Sequence, residues 1–482
     1  MSVILESERR TFKARIFLAL VYCVLTLGAV TMVYPFAVMI ASSLSSSYDY
    51  SRHSPVVIGF FDRGDRFMRA VERHFKTFPR DIYPDAPTSW KTWHDVAEDR
   101  AGVRKFVASE LARYGVADGC ARREENLARL REHARAAREA LARTPAQDTS
   151  CAYDPRDVAR FVARKYGTPE KLSAAWGVPY RSFFDVSFSI ESKLAPGRTL
   201  DGEKFATWLE LKRWYVDEAA RRGDHLALTL PHPRADHASE IREALVIQFV
   251  DHGWRDFLES CGANYRLVGD YLFVRGRAFV NTLILVVLSV LASLTVNPLA
   301  AYALSRFRLQ ATEQILLFLL ATMAFPAAVT AIPGFLLIRD LGLLNTFAAL
   351  VLPTVASGMS IFILKGFFDA LPRELYEAAA IDGAGEWTVF SRITLPMTTP
   401  ILAVNALNSF IHAYSSWEWA FLVCQKESHW TLAVWMYQMS QTMANQPWCV
   451  MAGFVVVSIP TAAVFLLCQK VILRGIVLPS MK

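Results

Sequence analysis

Two groups of residues in this chain have the types and spacing to do chemistry. The first is Asn405, Asn408, His412, Tyr414, Ser415, Ser416, Trp417, Glu418 and Trp419, set within an otherwise apolar stretch. Polar and ionisable groups at membrane depth are costly, so they mark a cavity, a pathway or an interhelical contact. Aromatic faces stack on the C–H faces of a pyranose while amides and carboxylates bind its hydroxyls, so this mixture suits a sugar. Trp417 and Trp419 equally fit an aromatic belt at the membrane interface. The second group is Glu377-Ala378-Ala379, then Gly383 after a gap that includes Ile381 and Asp382, then Ile393-Thr394-Leu395-Pro396. Small side chains permit close approach, Gly383 lets the chain break between two short helices, and Glu377 offers a carboxylate either to a basic group or to the loop's own backbone as a cap. Leu375, Tyr376, Ile381, Trp387 and Phe390 supply apolar contacts. This is the chemistry of a docking surface, not of bond cleavage.

Asp224, His225, His232, Asp236 and His237 carry metal-ligand groups, but their spacing matches no metal site, and Pro231 and Pro233 point to a solvated loop. No metal is expected. The Gly-x-x-x-x-Gly-Lys-Ser/Thr phosphate loop is absent, so the chain itself is not expected to bind or hydrolyse ATP.

The elements that position these groups follow from composition. The 482 residues are 53% hydrophobic, with mean hydropathy +0.23 and a pI near 9.0, more apolar than soluble domains usually are. Six stretches approach the roughly 20 apolar residues needed to cross a bilayer: Arg15 to Ile40, Ala278 to Leu304, Ile315 to Ile338, Phe347 to Phe367, Thr398 to Val423 and Cys449 to Ile472. Lys and Arg flank them at Arg9, Arg10, Lys13 and Arg15, then at Arg306 and Arg308, Lys365 and Arg373, and Lys470 and Arg474. All fall on one side if both termini are cytoplasmic. The excess of 52 Lys and Arg over 45 Asp and Glu is explained by that topology without nucleic acid. The first stretch reads as a signal anchor rather than a cleaved signal peptide.

The charged, aromatic region between the first two stretches is the size of an ordinary domain, about 220 residues. Helices are expected at Arg100 to Arg113, Arg122 to Arg143, Pro155 to Lys165, Pro169 to Trp176, Gly202 to Arg222 and Ala238 to Glu259, with short strands at Pro55 to Phe61 and Leu226 to Leu230. Tyr166 to Gly177 resembles a short stretch of some glycoside hydrolases, and equally reads as a helix closed by an aromatic and glycine cap. Cys120 with Cys151, and Cys424 with Cys449, are possible disulfide pairs.

The Glu-Ala-Ala to Leu-Pro pattern resembles the cytoplasmic coupling loop of ABC importer permeases. From Val280 onward the chain is similar to the smaller permease subunit of sugar importers of the maltose type. Asn281-Thr282, Ala301 to Phe307, Ile332-Pro333, Gly342-Leu343-Leu344-Asn345-Thr346, Gln469 and Arg474-Gly475 match that family too. Trp417 matches the leading Trp of a further family pattern, while Glu418-Trp419-Ala420 departs from it.

The resemblance implies an all-α polytopic membrane protein with six transmembrane helices in the type I importer permease fold, here with a mainly helical extracytoplasmic insert. The divisions are a cytoplasmic tail at 1–14, a first span at 15–44, the insert at 45–270, and a core at 271–482 carrying coupling loop 368–396. Implied partners are a cytoplasmic ATPase dimer holding ATP and Mg, a second permease, an extracytoplasmic solute-binding protein and membrane lipid. The implied location is the cell inner membrane and the implied role is coupling ATP hydrolysis elsewhere to sugar uptake, with no enzyme activity of its own. In this family the smaller subunit often contributes little to the sugar site. The other reading is a membrane-anchored sensor or carbohydrate-processing protein that acts through the insert.

Overall fold

The computed structural model describes residues 12–74, 79–143, 155–180, 183, 186, 202–222, 238–269, 271–272, 277–307, 310–322 and 325–476. Helices dominate, and no strand occurs among the described residues. The chain divides into two compact units, Met1–Leu267 and Val268–Lys482.

The first unit opens with α1 (Phe12–Ser43). Its apolar part, Ile16–Ser43, has 28 residues, about 42 Å at 1.5 Å per residue, longer than a hydrocarbon core of about 30 Å. Then come α2 (Arg63–His74), α3 (Pro79–Ile82), α4 (Trp93–Glu98), α5 (Arg100–Arg113), α6 (Arg123–Arg143), α7 (Pro155–Tyr166), α8 (Pro169–Trp176), α9 (Gly202–Arg222) and α10 (Ala238–Gly269). The expected helices are all present, and the last continues beyond Glu259. Local chemistry sets their ends. Thr92 and Asp95 close a capping box on α4, while α8 starts at a Thr168 cap with Pro169 in its first turn and stops at Gly177 with φ 66°.

Packing then selects the buried faces. Leu127, Leu130 and Ala134 of α6 join Phe67, Trp90, Val107 and Val246 in one core. A smaller cluster gathers Val162, Leu172, Trp176, Trp208 and Leu211 from α7 to α9. Burying a large apolar side chain of this kind is worth about 1.5–3 kcal/mol.

Two buried charge networks accompany these cores. Arg242 of α10 donates to Glu110 at 2.6 and 3.1 Å and to Asp85 at 3.0 Å, and Arg113 reaches Asp85 at 2.7 Å. The Arg242 guanidinium sits 4.9 Å from the centre of the Tyr83 ring. Near the end of α1, Asp65 accepts from Tyr48 at 2.7 Å and Arg52 at 2.8 Å, while Arg69 pairs with Asp49 at 3.2 Å and donates to the Leu44 carbonyl. Asn264 of α10 donates to the carbonyls of Ser43 and Ser45, both at 2.8 Å. The last carbonyl of α1 and those of the turn after it are thereby satisfied, and the two ends of the region between the first apolar stretches are tied together.

Four readings for this unit need correction or fall outside it. Residues 55–61 form no strand, because Arg66 donates to the carbonyls of Gly59 and Phe60 and a short 3₁₀ turn at Ile58–Phe60 replaces any ladder. Gly59 lies so near Phe257 that a Cβ there would come within 2.3 Å of the ring. Leu226 to Leu230 lies outside the described residues, as do the Asp224 to His237 cluster and Cys151, the suggested partner of Cys120.

The second unit contains α11 (Ala278–Arg306), α12 (Thr312–Thr322), α13 (Ala327–Asp340), α14 (Phe347–Val351), α15 (Gly358–Asp369), α16 (Arg373–Ile381), α17 (Glu386–Val389), α18 (Leu395–Met397), α19 (Thr399–Ser415), α20 (Trp417–Val423), α21 (Leu432–Thr442) and α22 (Pro447–Ile476). α11 packs on α15 and α19, and α19 packs on α22. Over the described residues of both units, three helices are long and apolar enough to cross a membrane: Ile16–Ser43, Ala278–Arg306 and Pro447–Gln469. A fourth span results if Phe347–Thr354 and Gly358–Asp369, bent by 50°, count as one. The other apolar stretches are helical but interrupted. Pro326 caps α13 after the α12 segment, and Ser416 separates α19 from α20.

Side chains satisfy the backbone at these interruptions. Asn297, fully buried in α11, accepts from the Ser357 N–H at 3.0 Å where the bent pair turns. Asn281 donates to the carbonyls of Ser428 at 2.8 Å and Trp430 at 3.0 Å, and Thr282 accepts from the Leu432 N–H at 2.8 Å. Asn345, with φ 60°, accepts from the Lys426 N–H at 2.8 Å. Cys424 and Cys449 are both buried and are not bonded to each other.

Arg242→Ala removes two hydrogen bonds from Glu110, which is 1% exposed and keeps only Arg113 at 2.9 Å as a cation, and is expected to lower stability by about 1–3 kcal/mol. Thermal melting in detergent checks this, and an unchanged midpoint would contradict it. Burial pushes the Asp85 carboxyl up, but hydrogen bonds from Arg242 and Arg113 outweigh that and hold it at about 2. The folded value lies below the unfolded value of about 3.9, so the contribution is present above that pH and is lost as pH falls through about 2. Between those limits the natural chain should lose stability more steeply than Asp85→Asn, read from melting midpoints across pH.

Candidate functional site

The loop carrying Glu377 to Pro396 is built from short helices whose breaks are written in the sequence. α16 (Arg373–Ile381) follows Pro372, a residue suited to a helix start. It ends in a Schellman motif: the Gly383 N–H donates to Ala380 at 3.1 Å and the Ala384 N–H to Ala379 at 2.9 Å, with Gly383 at φ 73°. The chain then turns into α17, a π-helical turn at Phe390–Thr394, and α18 with Leu395 and Pro396.

The helical period of α16 sorts its residues onto two faces. Tyr376 and Ala379 point inward and join a core with Val389, Phe390, Leu364 and Phe368. Glu377, Ala378, Ala380, Ile381 and Asp382 face solvent, and Ile381 is 86% exposed. Trp387 is 69% exposed beside them. Ile393 and Leu395 are half-buried against the core, and Pro396 is exposed. Of the apolar residues expected to face outward, Tyr376 and Phe390 are therefore turned inward, because the helix needs a face to hold it to its own chain. Ile381 and Trp387 remain uncovered.

α11 clamps this loop from its far end. Tyr302 donates to Glu386 at 2.6 Å, and Arg306 lies 3.7 Å from the same carboxylate. The Arg306 guanidinium sits 5.0 Å from the Tyr376 ring centre, and Tyr302 packs on Phe390 with centroids 5.1 Å apart. Tyr376 and Thr394 hydroxyls meet at 3.3 Å. Ser305 donates to Asp369 at 2.6 Å, which also pairs with Lys365 at 2.6 Å. Sequence reasoning quoted Ala301 to Phe307 as a pattern without a task. Its aromatic and basic residues, one helical turn apart, were the available signal.

The polar series of α19 and α20 is divided. Asn405 is buried and donates to Ser293 of α11 at 3.4 Å, while Asn297 donates to the same hydroxyl at 2.8 Å. Tyr414 donates to the Val457 carbonyl at 2.7 Å. These two are interhelical contacts. Trp417 stacks on Tyr437 with centroids 4.4 Å apart, and Trp419 donates to the Ala349 carbonyl at 3.0 Å. Asn408 and His412, one turn apart, are exposed on one stripe of α19, and Glu418 is exposed on α20. Among the described residues no group of three His, Cys, Asp or Glu side chains is placed to hold a metal.

Space beside Gly383 is open, so the cost of a Cβ there comes only from its φ of 73°. Gly383→Ala should cost about 1–2 kcal/mol, whereas Gly385→Ala, at φ −69° and equally open, should be close to neutral. Paired melting curves test this, and equal losses would show the left-handed turn is not the cause.

Residues 296–477 match the family described as binding-protein-dependent transport system inner membrane component. The chain is 31% identical over 206 residues to the probable ABC transporter permease protein YurM of Bacillus subtilis, covering 42% of this chain and 69% of that one. It is 32% identical over 199 residues to the diacetylchitobiose uptake system permease protein NgcG of Streptomyces coelicolor, covering 40% and 66%. It is also 32% identical over 232 residues to the sn-glycerol-3-phosphate transport system permease protein UgpE of Yersinia enterocolitica, covering 48% and 79%. A loop clamped under α11 with an uncovered outer face, in a unit whose long helices can cross a membrane, thus sits within matched sequence, and the chain belongs to the inner-membrane permeases of binding-protein-dependent ABC transport.

Proposed function

We propose that this chain is the membrane subunit of an importer for a carbohydrate or a related polar solute, and that residues 368–396 dock on a separate cytoplasmic ATPase. The observation that carries this reading is the division of α16. One face is locked to the chain's own core, while the other presents Glu377, Ala378 and Ile381, with Trp387 beside it. A short helix with small residues and one apolar knob suits insertion into a groove. Glu377 supplies the charge that meets a basic group there. The relatives' names support a polar solute, one being a diacetylchitobiose permease and another an sn-glycerol-3-phosphate permease.

In this reading both termini are cytoplasmic, the six apolar stretches cross the membrane with the interrupted ones completed by partner packing, and 45–270 lies outside. A second permease completes the pathway and a solute-binding protein delivers the cargo. ATP and Mg are held by the ATPase dimer. Closure of that dimer moves 368–396, and the Tyr302 and Arg306 clamp passes the displacement to α11 as a rigid-body motion. Asn405, Asn408, His412, Tyr414, Trp417 and Glu418 are the pathway candidates, of which Asn405 and Tyr414 also bond between helices.

Glu377→Lys with Gly383→Pro should abolish retention of the ATPase when the chain is purified from membranes. Ile381→Asp, which leaves α16 buried contacts intact, should reduce retention at least tenfold, about 1.4 kcal/mol. Full retention by both variants would remove the docking assignment, and a natural chain with no accompanying ATPase would remove the transport reading.

A further inference from the structure

The described residues between 44 and 267 expose six large apolar side chains. Five of them, Val56, Phe60, Phe61, Trp254 and Leu258, fall on two neighbouring elements, and the sixth is Val178. Phe60 packs on Phe257 and Trp254 with centroids 5.0 and 6.3 Å apart, and Leu258 follows Trp254 by one turn of α10. Val56 and Phe61 flank the same turn. Exposure on this scale is not forced by the fold, since Phe257 and Val57 next to these residues are buried.

The patch adjoins the end of the first apolar helix. Ala41, in the last turn of α1, forms one buried cluster with Val57, Phe257 and Cys261. Phe36 and Ile40 on α1 are themselves exposed, so an uncovered apolar surface runs from α1 towards the 56–61 turn and α10. The polar groups beside the patch are paired or capped by the rings: Arg255 bonds Glu259 at 3.1 Å next to Trp254 and Leu258. Arg66 donates to the Gly59 carbonyl at 3.0 Å and places its guanidinium 4.2 Å from the Trp254 ring centre. Tryptophan and phenylalanine with a snorkelling arginine at the end of a spanning helix is the chemistry of the headgroup layer, where amphipathic rings and cationic side chains both find partners.

We infer that Phe60, Phe61, Trp254 and Leu258 form an interfacial anchor, which beds the base of the inserted region in the lipid headgroup layer beside the end of α1. This rests on α1 crossing the membrane. The anchor holds the inserted region at a fixed height, since Asn264 already ties α10 to the last carbonyl of α1 and to that of Ser45.

A photoreactive benzophenone amino acid placed singly at positions 61, 258, 25 and 132 of the full chain, expressed with its partner subunits in native membranes, separates the outcomes. Leu25 lies on exposed α1 surface and reports the span, and Glu132, exposed on α6, reports solvent. Phospholipid adducts at 61 and 258 within about threefold of the yield at 25, and at least tenfold above 132, are expected. Adducts to another protein at 61 and 258 would overturn the proposal in favour of a protein-docking surface. Yields at the level of 132 with a positive result at 25 would overturn it in favour of free solvent. A negative result at 25 would overturn the span itself and the anchor with it. As a second readout, Phe61→Asp with Trp254→Asp should raise proteolytic release of the inserted region severalfold in vesicles while leaving α1 inserted; unchanged release would contradict anchoring.

Discussion

A backbone in hydrocarbon must satisfy its own polar groups, and the second unit is organised by how it does so wherever a helix stops. Several interruptions have an amide or hydroxyl assigned to them. Asn297 meets the Ser357 N–H at the bend, Asn281 and Thr282 hold the segment 428–432, and Asn345 meets Lys426. Two indoles do the same work, Trp419 to Ala349 and Trp430 to Cys424. These bonds satisfy backbone groups where the helices break, and the breaks let short helices change direction within one compact unit.

The 371–396 loop depends on the same framework. Its inner face is fixed by Tyr376, Val389 and Phe390, and its position by the Tyr302 and Arg306 contacts with Glu386. The loop is held firmly where it joins its own chain and is open on its other face. Burial of Tyr376 gives the first property, and exposure of Ile381 and Trp387 gives the second. Sequence alone placed Tyr376, Ile381, Trp387 and Phe390 in one apolar class, because hydrophobicity does not say which side of a short helix faces home.

In the first unit, ion pairs stand where the chain has to close on itself. Arg242 joins α10 to α5 and to Asp85, and Arg69 with Asp49 and Leu44 secures the turn after α1. Buried charges of this kind contribute little net stability but penalise wrong pairings heavily, because a misplaced partner leaves a desolvated charge. They also fix the approach of Asn264 to Ser43, which returns the chain to the end of α1.

Much of the fold was legible before any coordinates. The glycine stops at Gly177 and Gly383, the apolar stretches and the i, i+3, i+4 pattern of Leu127, Leu130 and Ala134 act over a turn or two, and short-range physics is written in short-range sequence. The family pattern from Glu377 to Pro396 was equally visible. What tertiary structure decided was long-range. The sequence leaves Asn405 open between a pathway and an interhelical contact, and only the fold brings it to Ser293, 112 positions away. The turn at 55–61 reads as a strand until Arg66 takes its carbonyls and Phe257 takes its space. Periodicity and composition fix which residues are helical and apolar. Which of them meet depends on packing between distant segments, and no local pattern encodes that.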